Sequence, residues 1–591
     1  MIESFKCTAS NHIFMLKEMW RFSKKRYVFE LLKIMFESVK PFPNIIFPAL
    51  IINEIVLGAE TVYIWIYVAL FILSNVIITV VLNVLGSRQF FYETDFFFYI
   101  ESLAVKKFMS LDLANIETTE THDKYQMAQS ADVGFIFDEV RQAFVSIFQI
   151  IGCIVIILTF NVYLVFIILL VSVINGVVQK KNMKYANSKE LERASLIKRY
   201  EYYKHIASNY GFSKEIRLNR LVDIIVNRIK KNRDAFFNIF KDLENKSFFS
   251  GFVINIINLL LQGAVYWLMV YSFINGRILI GSFSAYVASI ETFRSALGNF
   301  ASSINECYSK GLRVSHLRNF MAIENTMDAG GDKPDFKEFT IKFKDVSFKY
   351  PNSDTYVLKD INVEIPFNQK VLIVGENGAG KSTFIKLMLR LYDPSEGQIL
   401  INGRNIKEFS LKDYRNLFGI MFQDFKIFSF TLRENIVFGD SSFNDEDIYE
   451  SIETAGYKNV MEKLENGLDS YIFKDYDDSG MELSGGELQK IALSRCIVRN
   501  SSCIIFDEPA SALDALAERD LYEYFMKRIE NKTGIFISHR MSSAAFCDKI
   551  IVIDSGRIAE YGTRHELMEL DGVFKKLYDM QSQYYIENEG K

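Results

Sequence analysis

Proline is scarce, eight in 591 residues, so little in the chain interrupts a helix. Cysteine is sparse too: Cys7, Cys153, Cys307, Cys496, Cys503 and Cys547 are spread over the whole chain with no C-x-x-C pair. That pattern excludes a disulfide scaffold and a zinc ribbon, and reads as six reduced thiols. An excess of one charge is missing, since 68 Lys+Arg against 72 Asp+Glu leaves −4. With 49% hydrophobic residues, a disordered or nucleic-acid-coating chain is excluded. No cleavable signal pattern opens the sequence, because Lys6, Lys17, Glu18, Arg21, Lys24, Lys25 and Arg26 interrupt any apolar core. Residues 1–27 read instead as an amphipathic helix on the inner membrane surface, with Ile13, Phe14, Leu16, Met19, Trp20 and Phe22 among its apolar positions.

What is abundant is phenylalanine, 52 residues, and the charges are unevenly placed. Residues 1–325 carry 35 basic and 27 acidic side chains; residues 326–591 carry 33 and 45. A membrane half with basic cytoplasmic loops, joined to an acidic soluble half, explains that split. About 20 apolar residues cross a bilayer core of about 30 Å. Stretches 62–86, 143–160, 161–179 and 250–274 qualify outright. Residues 28–57 carry Lys33, Glu37, Lys40, Pro41, Pro43 and Pro48, which shorten and kink a first span. Residues 278–304 hold Glu291 and Arg294, a pair that must face a bundle interior or cavity. Six spans are expected within 28–322.

Lys and Arg crowd 180–248 and are absent from the turns Gly58–Thr61 and Thr159–Asn161; Asn275–Ile278 has only Arg277. Both termini and the loops 87–140 and 180–248 are therefore placed in the cytoplasm of a multi-pass protein of the plasma membrane. Those loops lack Pro and keep helical apolar spacing, as in Leu218, Leu221, Ile225 and Ile229. They read as helices carried roughly 43 Å beyond the bilayer.

After a Gly/Asp/Pro linker at 323–338, short apolar runs between turns mark a second domain at 339–591. Val371–Val374 reads as a buried strand, Gly375–Thr383 spells G-x-x-x-x-G-K-[ST], and Phe384–Leu391 follows with helical spacing. Strand, glycine loop and helix form the context in which this motif binds phosphate. Backbone N–H groups of Gly375, Asn377, Gly378, Ala379, Gly380 and Thr383 wrap the phosphates, Lys381 reaches the terminal ones, and Ser382 can hold magnesium. A second strand, Cys503–Phe506, ends in Asp507 and Glu508. Asp507 suits a magnesium shell, and Glu508 can polarise an attacking water as general base. Together they predict a nucleotide-hydrolysis site at the strand ends of an α/β P-loop domain.

Between these motifs lies Leu483-Ser-Gly-Gly-Glu487, which resembles the signature loop of ATP-binding cassette (ABC) transporters. The resemblance extends over essentially the whole chain. It implies that Ser484, Gly485 and Gly486 cap the ATP of the opposite subunit and that Tyr350 stacks on adenine. It also implies that Gln423 contacts magnesium and water, that Ser511–Asp514 crosses the dimer, and that His539 holds the terminal phosphate. Alone, Tyr350 reads as a half-buried strand aromatic and His539 as a strand-end histidine, while Gln423 carries no signal. Their order around the two phosphate motifs makes the set specific. Two stretches depart from the family pattern. Glu487 replaces a usual Gln, and Asp477–Gly480 stands where exporters carry Gly-Glu-x-Gly, with Asp478 in place of the Glu.

Six spans before one cassette resembles the exporter-type half-transporter: an all-α transmembrane bundle followed by an α/β cassette. The resemblance implies ATP and Mg2+ as cofactors, and Glu508, His539 and Gln423 as the catalytic set. It implies a second copy of the chain as partner, ahead of a related half-transporter, because every ATP-contacting position is intact. Segments near Ile116–Asp123 and Asn209–Glu215 would be coupling helices. The implied function is ATP-driven export of an amphipathic substrate, a peptide ahead of a drug or lipid. An ATP-gated regulatory membrane protein is a further alternative, and no nucleic-acid partner is expected. The candidate cavity draws on Asn255, Asn258, Gln262, Tyr266, Ser282, Ser284 and Tyr286 with Glu291 and Arg294. The stretch before residue 27 is too short for a leader-cleaving peptidase domain.

Overall fold

The computed structural model describes residues 2–589 except 59, 130–135, 160–161, 277, 328–329, 352, 457–460, 462–463, 465, 476, 510–518, 520–521, 524 and 527–528. The expected dimer-crossing loop Ser511–Asp514, together with Asn161, Arg277, Asp328 and Ala329, lies outside the described residues. Two compact units result: Met1–Met109 with Asp123–Ala322, and Ser110–His122 with Ile323–Lys591.

The first unit is helical. In chain order the helices are α1 (Ile2–Phe22), α2 (Lys24–Val39), α3 (Phe42–Leu57), α4 (Thr61–Met109), α5 (Leu113–Ile116, in the second unit) and α6 (Thr119–Gln129). There follow α7 (Ile136–Leu158), α8 (Val162–Ser188), α9 (Glu190–Ser208), α10 (Ser213–Leu218), α11 (Val222–Ile274) and α12 (Ile280–Met321). Among the described residues, five segments are long and apolar enough to cross a membrane: Lys24–Leu57, Thr61–Met109, Phe137–Leu158, Val165–Ala186 and Val222–Ile274. The sixth long helix, α12, has 42 residues but falls outside that set. Its composition explains why, since it is rich in Ser and carries Glu291, Arg294, Glu306 and Lys310, and its packing accommodates that polarity. It lies against α1, α3 and α7 and buries Ser289 and Ser303, so much of its surface meets protein rather than lipid.

The first span breaks at its prolines, with Pro41 at the start of α3 and Pro48 inside it. Its charges find partners inside the bundle: Arg26 Nη2 lies 3.4 Å from Glu93 Oε1, and Glu37 pairs with Arg141 of α7. α4 and α11 run unbroken for 49 and 53 residues, so the long loops are largely helix. One side of α1 packs on α12, where Asn11 donates to Gly311 O at 2.8 Å and Met15 and Met19 are buried; Ile13 and Trp20 stay exposed.

The second unit holds two sheets. An antiparallel one has order β2-β1-β4-β5, from β1 (Ile341–Phe348), β2 (Leu358–Ile365), β4 (Glu396–Ile401) and β5 (Arg404–Asn405). The other has order β10-β9-β3-β8-β7-β6, from β3 (Lys370–Val374), β6 (Phe418–Met421), β7 (Cys503–Asp507), β8 (Thr533–Ile537), β9 (Lys549–Asp554) and β10 (Arg557–Gly562). Strands β9, β3, β8, β7 and β6 are parallel. A parallel sheet is covered on both faces, which is why Val371–Val374 and Ile504–Phe506 read as continuous apolar runs and are buried throughout. All five carboxyl ends therefore point the same way. Ser110–His122 joins this unit: Leu113 and Ala114 pack on its core, and Asp112 Oδ2 accepts from Met327 N at 2.9 Å.

Candidate functional site

Four neighbouring strand ends supply the site. β3 runs into Gly375–Gly380, and α13 (Lys381–Met388) begins directly after. The chain's own backbone demands glycine here. A Cβ on Gly375 would stand 2.1 Å from Ile553 O, and one on Gly380, at φ 108°, would stand 2.7 Å from Leu358 Cδ2. Lys381 is buried and donates to Gly375 O and Glu376 O, both at 2.9 Å. Burial lowers its pKa, opposed by the charges of Glu508 and Asp507. Ser382 is exposed, and the Thr383 hydroxyl lies 3.0 Å from that of Tyr350. The Tyr350 ring stands against Phe348 and Tyr392, with the Lys386 ammonium 5.5 Å from its centroid.

β7 delivers Asp507 and Glu508, the segment after β6 delivers Gln423, and the loop after β8 delivers His539. Glu508 gathers the others. Gln423 Nε2 donates to its Oε2 at 2.6 Å, and His539 Nε2 pairs with its Oε1. Its backbone sits at φ 51°, a costly region for a residue with a side chain, held by a 3.0 Å bond from Glu508 N to Ile537 O. Asp507 is buried, and its Oδ1 has no hydrogen-bond partner. Burial, then the charge of Glu508, push its pKa up to about 6 against the pull of Lys381. A buried carboxylate oxygen without a donor suits a hard cation. With the exposed hydroxyl of Ser382 and the amide of Gln423, the residues present fit magnesium, which takes oxygen ligands.

The signature is built differently. Ser484 caps the helix Gly485–Val498 in a reciprocal box: Glu487 N donates to Ser484 Oγ at 3.4 Å, and Glu487 Oε2 accepts from Ser484 N at 2.8 Å. Glu487, the departure from the family pattern, closes that box. Gly485 and Gly486 are exposed, and a Cβ on either would touch nothing among the described residues. Upstream, Gly480 is buried against Phe473 O while Asp478 is exposed.

Sequence reasoning missed two glutamines. Gln489 donates to Pro509 O, one residue past Glu508, and Gln581 bonds the loop that carries His539. Neither sits in a motif, and glutamine alone carries no signal. Gln581 helps bound a cavity of about 380 Å³ together with Gly375, Asn377, His539 and Leu577.

In the membrane unit, Asn258, Gln262 and Tyr266 of α11 line one small pocket with Glu291 and Arg294 of α12. Arg294 Nη2 lies 2.5 Å from Glu291 Oε1. Of the remaining expected cavity residues, Tyr286 turns to Thr159 at 3.1 Å, and Asn255, Ser282 and Ser284 are not among the pocket's lining.

Residues 358–511 match the family profile described as ABC transporter. The subtilin transport ATP-binding protein SpaT of Bacillus subtilis is 30% identical over 82% of this chain and 80% of its own length. The nisin transport ATP-binding protein NisT of Lactococcus lactis subsp. lactis is 28% identical over 83% and 81%. The ATP-dependent lipid A-core flippase of Escherichia coli strain K12 is 33% identical over 51% of this chain and 50% of its own. A solved bacterial Atm1-family ABC exporter with ATP bound superposes with a TM-score of 0.80 over 94% of this chain and 98% of that one, at 21% identity, and so shares the fold. A helical membrane unit joined to one ATP-binding cassette, matched along most of its length by such relatives, makes this chain a member of the ABC transporter family, an exporter-type half-transporter whose ATPase drives transport.

Proposed function

We propose that two copies of this chain form an exporter that carries an amphipathic peptide outward across the plasma membrane. The observation that carries the ATPase part is Glu508, held on both carboxylate oxygens by Gln423 and His539 at the strand ends beside the phosphate loop. Lys381 trades the carbonyls of Gly375 and Glu376 for the terminal phosphates, the amides of the loop wrap them, and Tyr350 stacks on adenine. Ser382, Gln423 and Asp507 would hold Mg2+, which neutralises charge on the phosphates. Glu508 takes a proton from the attacking water, Gln423 places that water, and His539 turns to the terminal phosphate. Ser484, Gly485 and Gly486 close over the ATP of the second copy. The open space around both glycines supports this, since no neighbour among the described residues requires them.

Closing the cassettes draws the cytoplasmic ends of the bundle together and opens the cavity outward; hydrolysis resets it. The segments near Ile116–Asp123 and Asn209–Glu215 carry the motion. The packing of Leu113 and Ala114 on the cassette core supports the first, and the bare ring of Tyr210, 83% exposed, supports the second. The crowding of Lys and Arg in 180–248 favours cytoplasmic termini and cassettes.

Peptide is favoured because the relatives matching about four fifths of the chain are named for subtilin and nisin transport, whereas the flippase match covers about half. The amides and the ion pair of the α11–α12 pocket offer partners to a peptide backbone. Glu508→Gln tests the ATPase reading: ATP binding persists and hydrolysis falls about 100-fold or more. Near-normal turnover in the purified variant would overturn the base assignment. ATP-dependent uptake of an amphipathic peptide into inverted vesicles, without lipid translocation, tests the substrate class.

A further inference from the structure

One side chain outside every motif reaches the loop that carries His539. Gln581 sits just over two turns into the helix Val573–Glu589. Its Nε2 donates to His539 O, and its Oε1 accepts from Met541 N at 2.9 Å. A single amide thus bridges the carbonyl and the N–H on either side of Arg540, as a neighbouring strand would. The His539 imidazole remains on Glu508. The rest of the loop is tied by its own hydroxyls: Arg540 N donates to Ser538 Oγ at 3.0 Å, and Ser543 Oγ donates to Arg540 O at 2.6 Å. The helix behind Gln581 is anchored. Phe574 is fully buried, its N–H donates to Glu560 Oε2 at 3.0 Å, and Leu577 and Tyr578 pack on the core. Met541 is itself buried, so its N–H has no ready exchange partner in water.

We infer that Gln581 is a positioning residue for hydrolysis, fixing the backbone from which the His539 imidazole works while touching no nucleotide itself. The inference rests on the reading of His539 as the contact to the terminal phosphate. A loop held on both sides of residue 540 keeps the imidazole within a narrow range before the reaction begins. The rate is sensitive to that range, because a misplacement of about 1 Å can cost on the order of 100-fold. Gln581 borders the same cavity as Gly375 and Asn377, but both of its hydrogen bonds go to the loop of His539 rather than to the phosphate loop or Tyr350, which bind ATP in the proposed reading. The effect therefore falls on kcat and spares KM.

The test uses the full-length transporter in lipid nanodiscs, with ATP hydrolysis measured over a range of ATP concentrations. Gln581→Met keeps length and packing but removes both hydrogen bonds. Its kcat should fall about tenfold, with KM within about twofold and an unchanged melting midpoint. Gln581→Glu keeps the acceptor for Met541 N–H but sets a carboxylate oxygen against His539 O, so its kcat should fall at least as far as that of Gln581→Met. Wild-type turnover in Gln581→Met, with His539→Ala inactive, overturns the inference and leaves the histidine's role standing. Wild-type turnover in His539→Ala overturns the reading on which it rests, and the inference with it. A fall in kcat accompanied by a raised KM and a lower melting midpoint marks a merely structural contact and also overturns it. If Gln581→Met does not fold, Gln581→Glu decides: reduced kcat at unchanged KM supports the role, and wild-type kcat ends it.

Discussion

The two glycine turns of the cassette look alike in sequence and have opposite surroundings. At Gly375 and Gly380 the chain's own atoms leave no room for a side chain. At Gly485 and Gly486 neither residue takes a positive φ, and no atom of the described residues stands within 4 Å of where a Cβ would be. The first turn needs glycine in order to fold. Among the described residues the second has no such need, which is what the proposed approach of a second copy would explain. A glycine whose requirement cannot be found in its own fold points to a missing neighbour, and the proposed second copy is the candidate.

The sharpest way to break that contrast is to mix two dead variants. Lys381→Ala disables the phosphate loop, and Ser484→Arg puts bulk and charge on the signature. Each alone should trap almost no nucleotide. Co-expressed with different tags, they should trap up to one nucleotide per mixed dimer, because one site then combines two intact halves. Tags that never co-purify would end the homodimer, and co-purification without trapping would end the composite geometry.

Next in size is the alanine comparison itself. Gly375→Ala should destabilise the cassette by about 2–4 kcal/mol, read as a melting midpoint several degrees lower. Gly485→Ala should leave the midpoint within about a degree while hydrolysis falls tenfold or more. Equal melting losses at both positions would erase the distinction.

A smaller, graded effect concerns Asp507, whose pKa is pushed up to about 6 by burial and then by Glu508. Because the folded value lies above the ordinary one, the stability it contributes is full below about pH 4 and is lost as pH rises through about 6. A cation needs the ionised form, so protons compete with it as pH falls through the same range. The melting shift produced by magnesium with ATP should therefore shrink from about pH 7 to pH 5, and Asp507→Asn should show no such slope. The smallest effect belongs to Glu487. Glu487→Gln keeps the capping box and should change stability by less than about 0.5 kcal/mol, whereas Glu487→Ala should cost about 1 kcal/mol.

The phosphate loop, Asp507 and Glu508 were legible because each is written in a few consecutive residues. Gln423 and His539 were readable as candidates only through family likeness, since what gathers them is the strand order that sets β3, β8, β7 and β6 side by side, and Ser484 only through the signature pattern. Gln581 was not legible at all, for its contact to His539 spans 42 residues and uses an ordinary side chain. In the membrane unit, five segments are set by length and hydropathy alone, and the sixth span, expected at 278–304 from its polar, inward-facing character, is the helix α12 that packs against α3 and α7. Glu487 is a different case. Its Ser-x-x-Glu spacing is a helix-start pattern written in four consecutive residues, superimposed on the signature motif.

This chain enters its C-terminal unit at Ser110, leaves after His122 and returns at Ile323. Asp112 Oδ2 takes the N–H of Met327, and Asn115 Nδ2 donates to Glu324 O at 3.0 Å, so the first arrival is pinned to the second. The two stretches by which the chain enters this unit are thus tied to each other inside it, and a substitution at Asp112 should be felt at Met327 as well.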